Sequence, residues 1–351
     1  MRLKTLSVTF AAALLSIGAA VAAQRANTLT VYFVDVEGGQ ASLFVAPSGE
    51  SMLVDSGFPG DRDADRIAAA AKLEGLTQID YFVNTHYHTD HIGGVPQVVA
   101  RIPIRTFVDH GVSVETADTP GTGRGTMQAY NAYTPIRDAG RHIVGKPDDT
   151  IPIKGLNVHI VSAAAVTTTR ALPGAGAANP ACAESVTKDD QANTQIAGEN
   201  GASLGMVIEL GRFRMLDLGD LTWNHEHDLV CPRNLLGPID LYLTTHHGQD
   251  ISNNPVLVKA VAPRVAIMNN GSRKGGMIPT FQTLHAQSTL LDLWQLHFGM
   301  AAGAEHNTAE PLIANPDDTT SHYIKLTARS DGTFTLLNSR NNVSKDYAAR
   351  R

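Results

Sequence analysis

Thr85-His86-Tyr87-His88-Thr89-Asp90-His91-Ile92-Gly93-Gly94 sets three imidazoles and a carboxylate directly behind an apolar run, Ile79-Asp80-Tyr81-Phe82-Val83. The run has the length and the aromatic and β-branched content of a buried strand. A strand that stops at the first His, with a helix starting after the last, leaves four ligand-type side chains on one tight loop aimed at one volume. A metal is the simplest reason to collect them there. Imidazole nitrogens and carboxylate oxygens without a thiolate suit zinc, with iron or manganese next. Gly93 and Gly94 let the start of the helix approach that volume without a Cβ in the way.

Met1 to Ala23 carries Arg2 and Lys4, an apolar stretch from Leu6 to Ile17, and small residues ending in Ala20-Val21-Ala22-Ala23. That is the pattern of a secretory signal peptide cut near Ala22 or Ala23. The apolar stretch is short for a membrane span, and no other stretch is long and apolar enough for one. An exported protein, periplasmic or secreted, with no span after cleavage is therefore expected. The formal charge of −6 is spread along the chain without a basic face, which argues against a nucleic-acid partner and for a small-molecule substrate. Cys182 and Cys231 make a pair that an exported protein can oxidise, tying a long loop to the region after Asp220.

Residues 24–340 read as one domain. Strands are predicted over 30–36, 41–45 and 51–55, with a turn at Pro47-Ser48-Gly49 between the last two. A helix over 61–73 follows, with Gly75 as its C-cap. After the metal strand come a helix over 95–100, a strand over 104–108, a helix over 126–137 and a strand over 156–161. The pattern then dissolves over 163–200, which reads as an insertion or lid. Strands over 204–210, 213–218, 241–244, 265–268 and 293–298, with helices over 255–261 and 280–286, make up the second half. Strand clusters separated by helices predict an α/β architecture of two packed mixed sheets with helices outside. Residues 341–351 read as a flexible polar tail.

The H-x-H-x-D-H pattern behind a strand resembles the signature of the metallo-β-lactamase superfamily, from about Leu29 to Phe298. The details look most like the branch that includes the periplasmic domain of competence (DNA-uptake) channel proteins. This resemblance implies a four-layer αββα sandwich and a hydrolase holding two Zn2+. His86 and His88 would hold one metal. Asp90, His91 and the pair in Thr244-Thr245-His246-His247-Gly248 would hold the second, one of that pair as ligand and the other lining the pocket. Asp220, in Leu216-Asp217-Leu218-Gly219-Asp220, matches the position that bridges both metals, with Asp217 the mid-strand alternative. Asp55, in Met52-Leu53-Val54-Asp55-Ser56-Gly57, matches a position that accepts a hydrogen bond from a ligand His and fixes its tautomer.

The chain departs from the family at the third His of the first site. The strand expected to end in it reads Val158-His159-Ile160-Val161-Ser162, with Ser162 and Ala163 at the expected place. His110, ending a neighbouring strand, is the candidate substitute. Without it the first site is completed by water or weakly occupied, giving one tight and one labile metal.

Other polar groups read as follows. His225-Glu226-His227 is expected to be a solvent-facing helix turn. His306, in a loop after the last core strand, is a candidate substrate contact or a structural residue. Arg273 and Lys274, past a strand end, either hold an anionic group, phosphate or carboxylate, or form a solvated turn.

A metal brings the pKa of bound water to about 7 and stabilises developing charge, and Asp90 is placed to orient that water. No Ser-His-Asp set, catalytic Cys or Gly-rich phosphate loop competes, so hydrolysis of a phosphoester or other small ester is expected. A lactone or β-lactam ring is the alternative, and a metal-binding protein with little catalysis is the reading of another class. The family branch carries Asp-Val-Gly-Gln-Gly-Asp where this chain has Asp35-Val36-Glu37-Gly38-Gly39-Gln40, without the final acid. It also carries a late Asn-x-Tyr-Gly-His-Pro where this chain has Asn269-Asn270-Gly271-Ser272-Arg273. Both departures argue against a nuclease.

Overall fold

The computed structural model describes residues 27–184 and 198–350; the leader predicted over 1–23 and residues 185–197 of the predicted insertion lie outside them. β1 (Thr28–Phe33), β2 (Ser42–Val45) and β3 (Ser51–Val54) form an antiparallel meander. α1 (Asp61–Leu73) then crosses the sheet so that β4 (Ile79–Val83) lies parallel to β3, since a parallel pair needs such a crossover. The helix buries Ala64, Ile67, Ala70 and Ala71 at helical spacing and puts Asp61 and Asp63 in its first turn and Lys72 in its last, which complements the helix dipole. α2 (Thr89–Ile92) and α3 (Val95–Val99) lead to β5 (Ile104–Asp109), and α4 (Gly123–Asp138) leads to β6 (Arg141–Val144), both strands parallel to their predecessors.

The second sheet begins antiparallel with β7 (Thr150–Ile151), β8 (Asn157–Ala163), β9 (Val166–Thr167), β10 (Gly205–Leu210) and β11 (Phe213–Asp217). It continues parallel through β12 (Leu241–Leu243), β13 (Val265–Met268), β14 (Asp292–His297) and β15 (Ile313–Asn315). α5 (Trp223–Asp228), α6 (Pro255–Val261) and α7 (Ile278–His285) are the connections. The last three strands, β16 (Ile324–Arg329), β17 (Phe334–Asn338) and β18 (Ser344–Tyr347), return to the first sheet, where β16 pairs antiparallel with β1. The two sheets run β18-β17-β16-β1-β2-β3-β4-β5-β6 and β15-β14-β13-β12-β11-β10-β8-β7, with β9 on β8.

Period-two alternation splits the apolar residues of each strand between two layers. Val31, Phe33, Ile208, Met215, Ile267, Trp294 and Leu326 fill the core between the sheets. Tyr32, Leu43 and Leu53 face α1, α3 and α4 on one outer side, while Val207, Leu216 and Tyr242 face α6 and α7 on the other. The result is a four-layer αββα sandwich of two mixed sheets, the metallo-β-lactamase type of fold. No helix among the described residues is long and apolar enough to cross a membrane. Cys182 and Cys231 are joined in a disulfide that ties the insertion to the segment after α5.

Two expectations are corrected here. The first helix after the strand does not wait for the last His: α2 begins at Thr89 and contains Asp90 and His91. The predicted flexible tail over 341–351 is ordered structure over its described residues, 341–350. Its β18 pairs with β17, and Tyr347 stacks on Phe334 with ring centroids 4.7 Å apart. The Tyr347 hydroxyl accepts from Trp294 Nε1 at 2.9 Å and donates to Asp292 Oδ2 at 2.7 Å, stitching the first sheet to the second. A chain ending at Arg340 should therefore melt well below the full chain, and Tyr347→Ala alone should cost about 3 kcal/mol. Identical melting temperatures by circular dichroism would show that the strand adds nothing.

Candidate metal centre

Parallel strands point their C-terminal ends one way, and the loops leaving those ends share one rim of the sandwich. β3 delivers Asp55, β4 delivers His86 and the loop to His91, β11 delivers Asp220, β12 delivers His246 and His247, and β13 leads to Lys274. The His pair sits in unusual backbone: His246 (φ 55°, ψ 45°) and His247 (φ 55°, ψ 20°) are both left-handed, followed by Gly248 at φ 81°. Each left-handed non-glycine costs about 1–2 kcal/mol, so neighbours must impose it. His246 N donates to Gly219 O at 2.9 Å, Gly276 N to His247 O at 2.9 Å and Met277 N to Gly248 O at 3.0 Å. Gly275 lies so close that a Cβ on it would stand 2.0 Å from His247 O.

Asp55 is itself left-handed (φ 58°) and fully buried. It accepts from Thr85 N at 2.8 Å and Thr85 Oγ1 at 2.7 Å, and its Oδ2 lies 2.7 Å from His91 Nδ1. That bond places the proton of His91 on Nδ1 and turns Nε2 to the centre. There Nε2 stands 3.2 Å from His247 Nε2, 3.2 Å from Asp220 Oδ2 and 3.4 Å from Asp90 Oδ2. His247 Nε2 lies 3.3 Å from Asp90 Oδ2 and 3.4 Å from Asp220 Oδ1. On the other flank His86 Nε2 is 3.0 Å from His88 Nδ1 and 3.8 Å from Asp220 Oδ2, and His246 Nε2 is 3.3 Å from that same oxygen.

These spacings fit a cation. Four donors at bond lengths of about 2.0–2.1 Å in a tetrahedron stand roughly 3.3 Å apart. The donor atoms of Asp90, His91, Asp220 and His247 all lie within 4.8 Å of one another, and all four residues are buried. Asp220 Oδ1 is buried without a hydrogen-bond partner, a state that buried carboxylate oxygens rarely tolerate. Charge states suit the same purpose. Burial drives His86 far below the usual imidazole range, aided by His91 and His88. Burial also lowers His246 to about 4 against the pull of Asp220. Burial opposes ionisation of Asp220, but His246, His247 and His91 outweigh it and hold the carboxyl well below its ordinary value. For Asp90 the strongest counterweight to burial is Lys274. His91 is the exception: despite burial, Asp220, Asp90 and Asp55 push it well up, so it holds a proton that a cation would displace.

The other expected residues are placed as follows. Lys274 Nζ contacts Asp90 Oδ2 and lies 5.7 Å from the Phe58 ring. It lines a cavity of about 330 Å3 together with His88, Asp90, Asn200, Asp220 and His246. Arg273 is exposed and outside that lining. His110 is not brought to the centre: it is buried against the Tyr87 ring at 4.6 Å, with Nε2 3.0 Å from Glu199 Oε2. His306 is also outside the cavity lining, its Nδ1 facing Ala302 O at 3.2 Å and its ring edge-on to Phe281. Asp217 is held by both of its oxygens to Gln40 Nε2, at 3.2 and 3.0 Å, and burial pushes it up to about 6, which suits a bracing group. The 225–227 turn is not solvent-facing throughout. Glu226 is fully buried and clamps Asn253 N and Asn254 N at 3.0 and 2.7 Å, with burial raising it to about 7.

Glu115, Glu199 and Asn200 escaped the sequence reading. None stands in a motif, and Glu199 and Asn200 end the stretch read as an insertion.

Residues 35–162 match the family model described as the metallo-beta-lactamase superfamily. Among solved structures the chain is similar to a protein described as a metal-dependent hydrolase from Parabacteroides distasonis, 13% identical over 76% of this chain and 92% of that one, with a TM-score of 0.44. It is similar to a HARLDQ-motif mutant of a metallo-beta-lactamase from Cronobacter sakazakii, 16% identical over 75% of each chain, with a TM-score of 0.31. It is also similar to CmlA, a diiron beta-hydroxylase from Streptomyces venezuelae, 14% identical over 68% of this chain and 44% of that one, with a TM-score of 0.37. No curated protein matches.

Asp55→Ala is expected to weaken cation binding by about ten- to a hundredfold, the usual effect of losing a carboxylate behind a ligand His. Competition with a chromogenic chelator measures it, and unchanged affinity in the folded variant would remove the orienting role.

Proposed function

We propose that this chain is a metal-dependent hydrolase of the metallo-β-lactamase superfamily that cleaves a small anionic ester, a phosphoester in the first instance. The observation that carries the reading is the buried convergence of Asp90, His91, Asp220 and His247 within 4.8 Å of one another. The family match over 35–162 supports it and covers Asp55 and the whole His loop. Asp90, His91 and His247 are the residues to hold one cation. His86, His88 and His246 are those to hold a second, and Asp220 faces both flanks with its two oxygens. His246 thus takes the part that the missing strand-end His would have played.

Bound there, divalent cations, zinc before iron or manganese, supply a water-derived nucleophile at neutral pH and stabilisation of developing negative charge. The protein's share is positioning. Lys274 is a cation at the mouth, its side chain 34% exposed, and it offers its ammonium to an anionic substituent. Asn200 also lines this cavity. A cavity of about 330 Å3 with this polar lining suits a small charged substrate better than an apolar one. Export to the periplasm or beyond is part of the proposal, and the Cys182–Cys231 disulfide supports an oxidising compartment.

Elemental analysis of the purified protein, followed by assays with bis(p-nitrophenyl) phosphate, a nitrophenyl ester, a lactone and nitrocefin, tests this reading. Phosphoester turnover that a chelator abolishes and zinc restores is expected. No bound metal together with no turnover on any of the four would overturn it, and nitrocefin or lactone turnover alone would move the substrate to a ring. Asp220→Ala should lower the occupancy of both cations together, whereas His246→Ala and His247→Ala should each lose one. Loss of a single cation in Asp220→Ala would contradict the shared carboxylate.

A further inference from the structure

His88 is held differently from the other imidazoles of the centre. Its Nδ1 faces inward, 3.0 Å from His86 Nε2, while its Nε2 faces outward, 3.2 Å from Glu115 Oε1. A neutral imidazole carries one proton, and the nitrogen bonded to a carboxylate is the one that carries it. A proton on Nε2 leaves the Nδ1 lone pair aimed at the centre. The other tautomer would aim an N–H there and set a lone pair against the carboxylate.

Glu115 is built to hold that position. Its side chain is 3% exposed. Oε1 also accepts from Glu199 N at 3.3 Å, and Oε2 accepts from the hydroxyls of Thr122 at 2.8 Å and Thr126 at 2.7 Å. Those threonines flank the start of the 16-residue α4, whose first turn has no acidic residue of its own, so the positive end of the helix favours the carboxylate.

Glu199 locks the next layer, accepting from Tyr87 N at 3.0 Å, Ser113 Oγ at 2.7 Å and Val114 N at 2.7 Å and pairing with His110. The loop carrying Glu115 is thereby tied to the backbone of Tyr87, the residue before His88.

We propose that Glu115 is a positioning residue that sets the tautomer of His88 and, through it, the affinity of the flank formed by His86, His88 and His246. The inference rests on the metal-centre reading above. The first test is the long-range 1H–15N spectrum of histidine-labelled, metal-stripped full-length protein at pH 8, with His88 assigned by His88→Ala. The wild type should show His88 protonated on Nε2, Glu115→Gln should keep that form because its amide carbonyl still accepts, and Glu115→Ala should lose it. Chelator competition should then show one zinc weakened about ten- to a hundredfold in Glu115→Ala, with the other unchanged and Glu115→Gln within a few-fold of wild type.

A wild-type His88 protonated on Nδ1 would overturn the proposal even if the alanine variant fails to fold. So would a folded Glu115→Ala protein with wild-type tautomer and zinc affinities. If the wild type takes up no zinc, the metal reading fails, and the tautomer comparison still decides the role of Glu115.

Discussion

The carboxylate of Asp220 poses the physical problem that the rest of the rim answers. It is almost completely buried, and the imidazoles of His86, His91, His246 and His247 all face its oxygens. Removing a carboxylate from water costs several kcal/mol unless opposite charge and hydrogen bonds replace its hydration. Here the replacement is incomplete, since Oδ1 accepts no hydrogen bond and has His247 Nε2 only at 3.4 Å. The donors crowd at distances that repel one another unless something positive lies among them. A proton on His91 answers part of that demand and a divalent cation answers it better. Functional strain is thus concentrated where charge density is highest.

The supporting groups explain how such a cluster stays in register. Asp55 orients His91, Glu115 faces His88, Gln40 holds Asp217 on the strand that leads to Asp220, and Glu226 pins the segment that follows the His pair. Each ties a loop of the rim to a buried element by charge-assisted or buried hydrogen bonds, which are stiffer than the apolar contacts around them. The stretch read as an insertion also takes part. Its end returns to place Glu199 under the His loop, and its cysteine is anchored through Cys231.

The fold was legible where period and length spoke together. α1 was predicted over its observed span, and most core strands within two residues, because their apolar residues alternate in a way that only a two-layer packing satisfies. The last hairpin and β18 were not, since their pairing with β1 and their packing on Trp294 involve partners far away in the chain. For the site, the His loop, Asp220 and the His pair were legible because ligand types recur at strand ends. His110 also ends a strand, and yet the structure spends it on Glu199, a partner that no spacing announces. Arg273 and Lys274 are adjacent and equally charged, but the turn sends one to solvent and the other to Asp90.

The sequence by itself determined the kind of donor set this protein carries: oxygen and nitrogen donors, without a thiolate among them, and the strands that end in them are all local facts. Only the tertiary structure decided which donors meet. Membership of the cluster depends on distances of 3 to 4 Å between loops far apart in the chain, 156 residues for His91 and His247, and on two left-handed residues whose strain is imposed by neighbours. A linear pattern encodes side-chain type and local geometry, whereas the direction in which His91 points is set by the Asp55 carboxylate packed behind it.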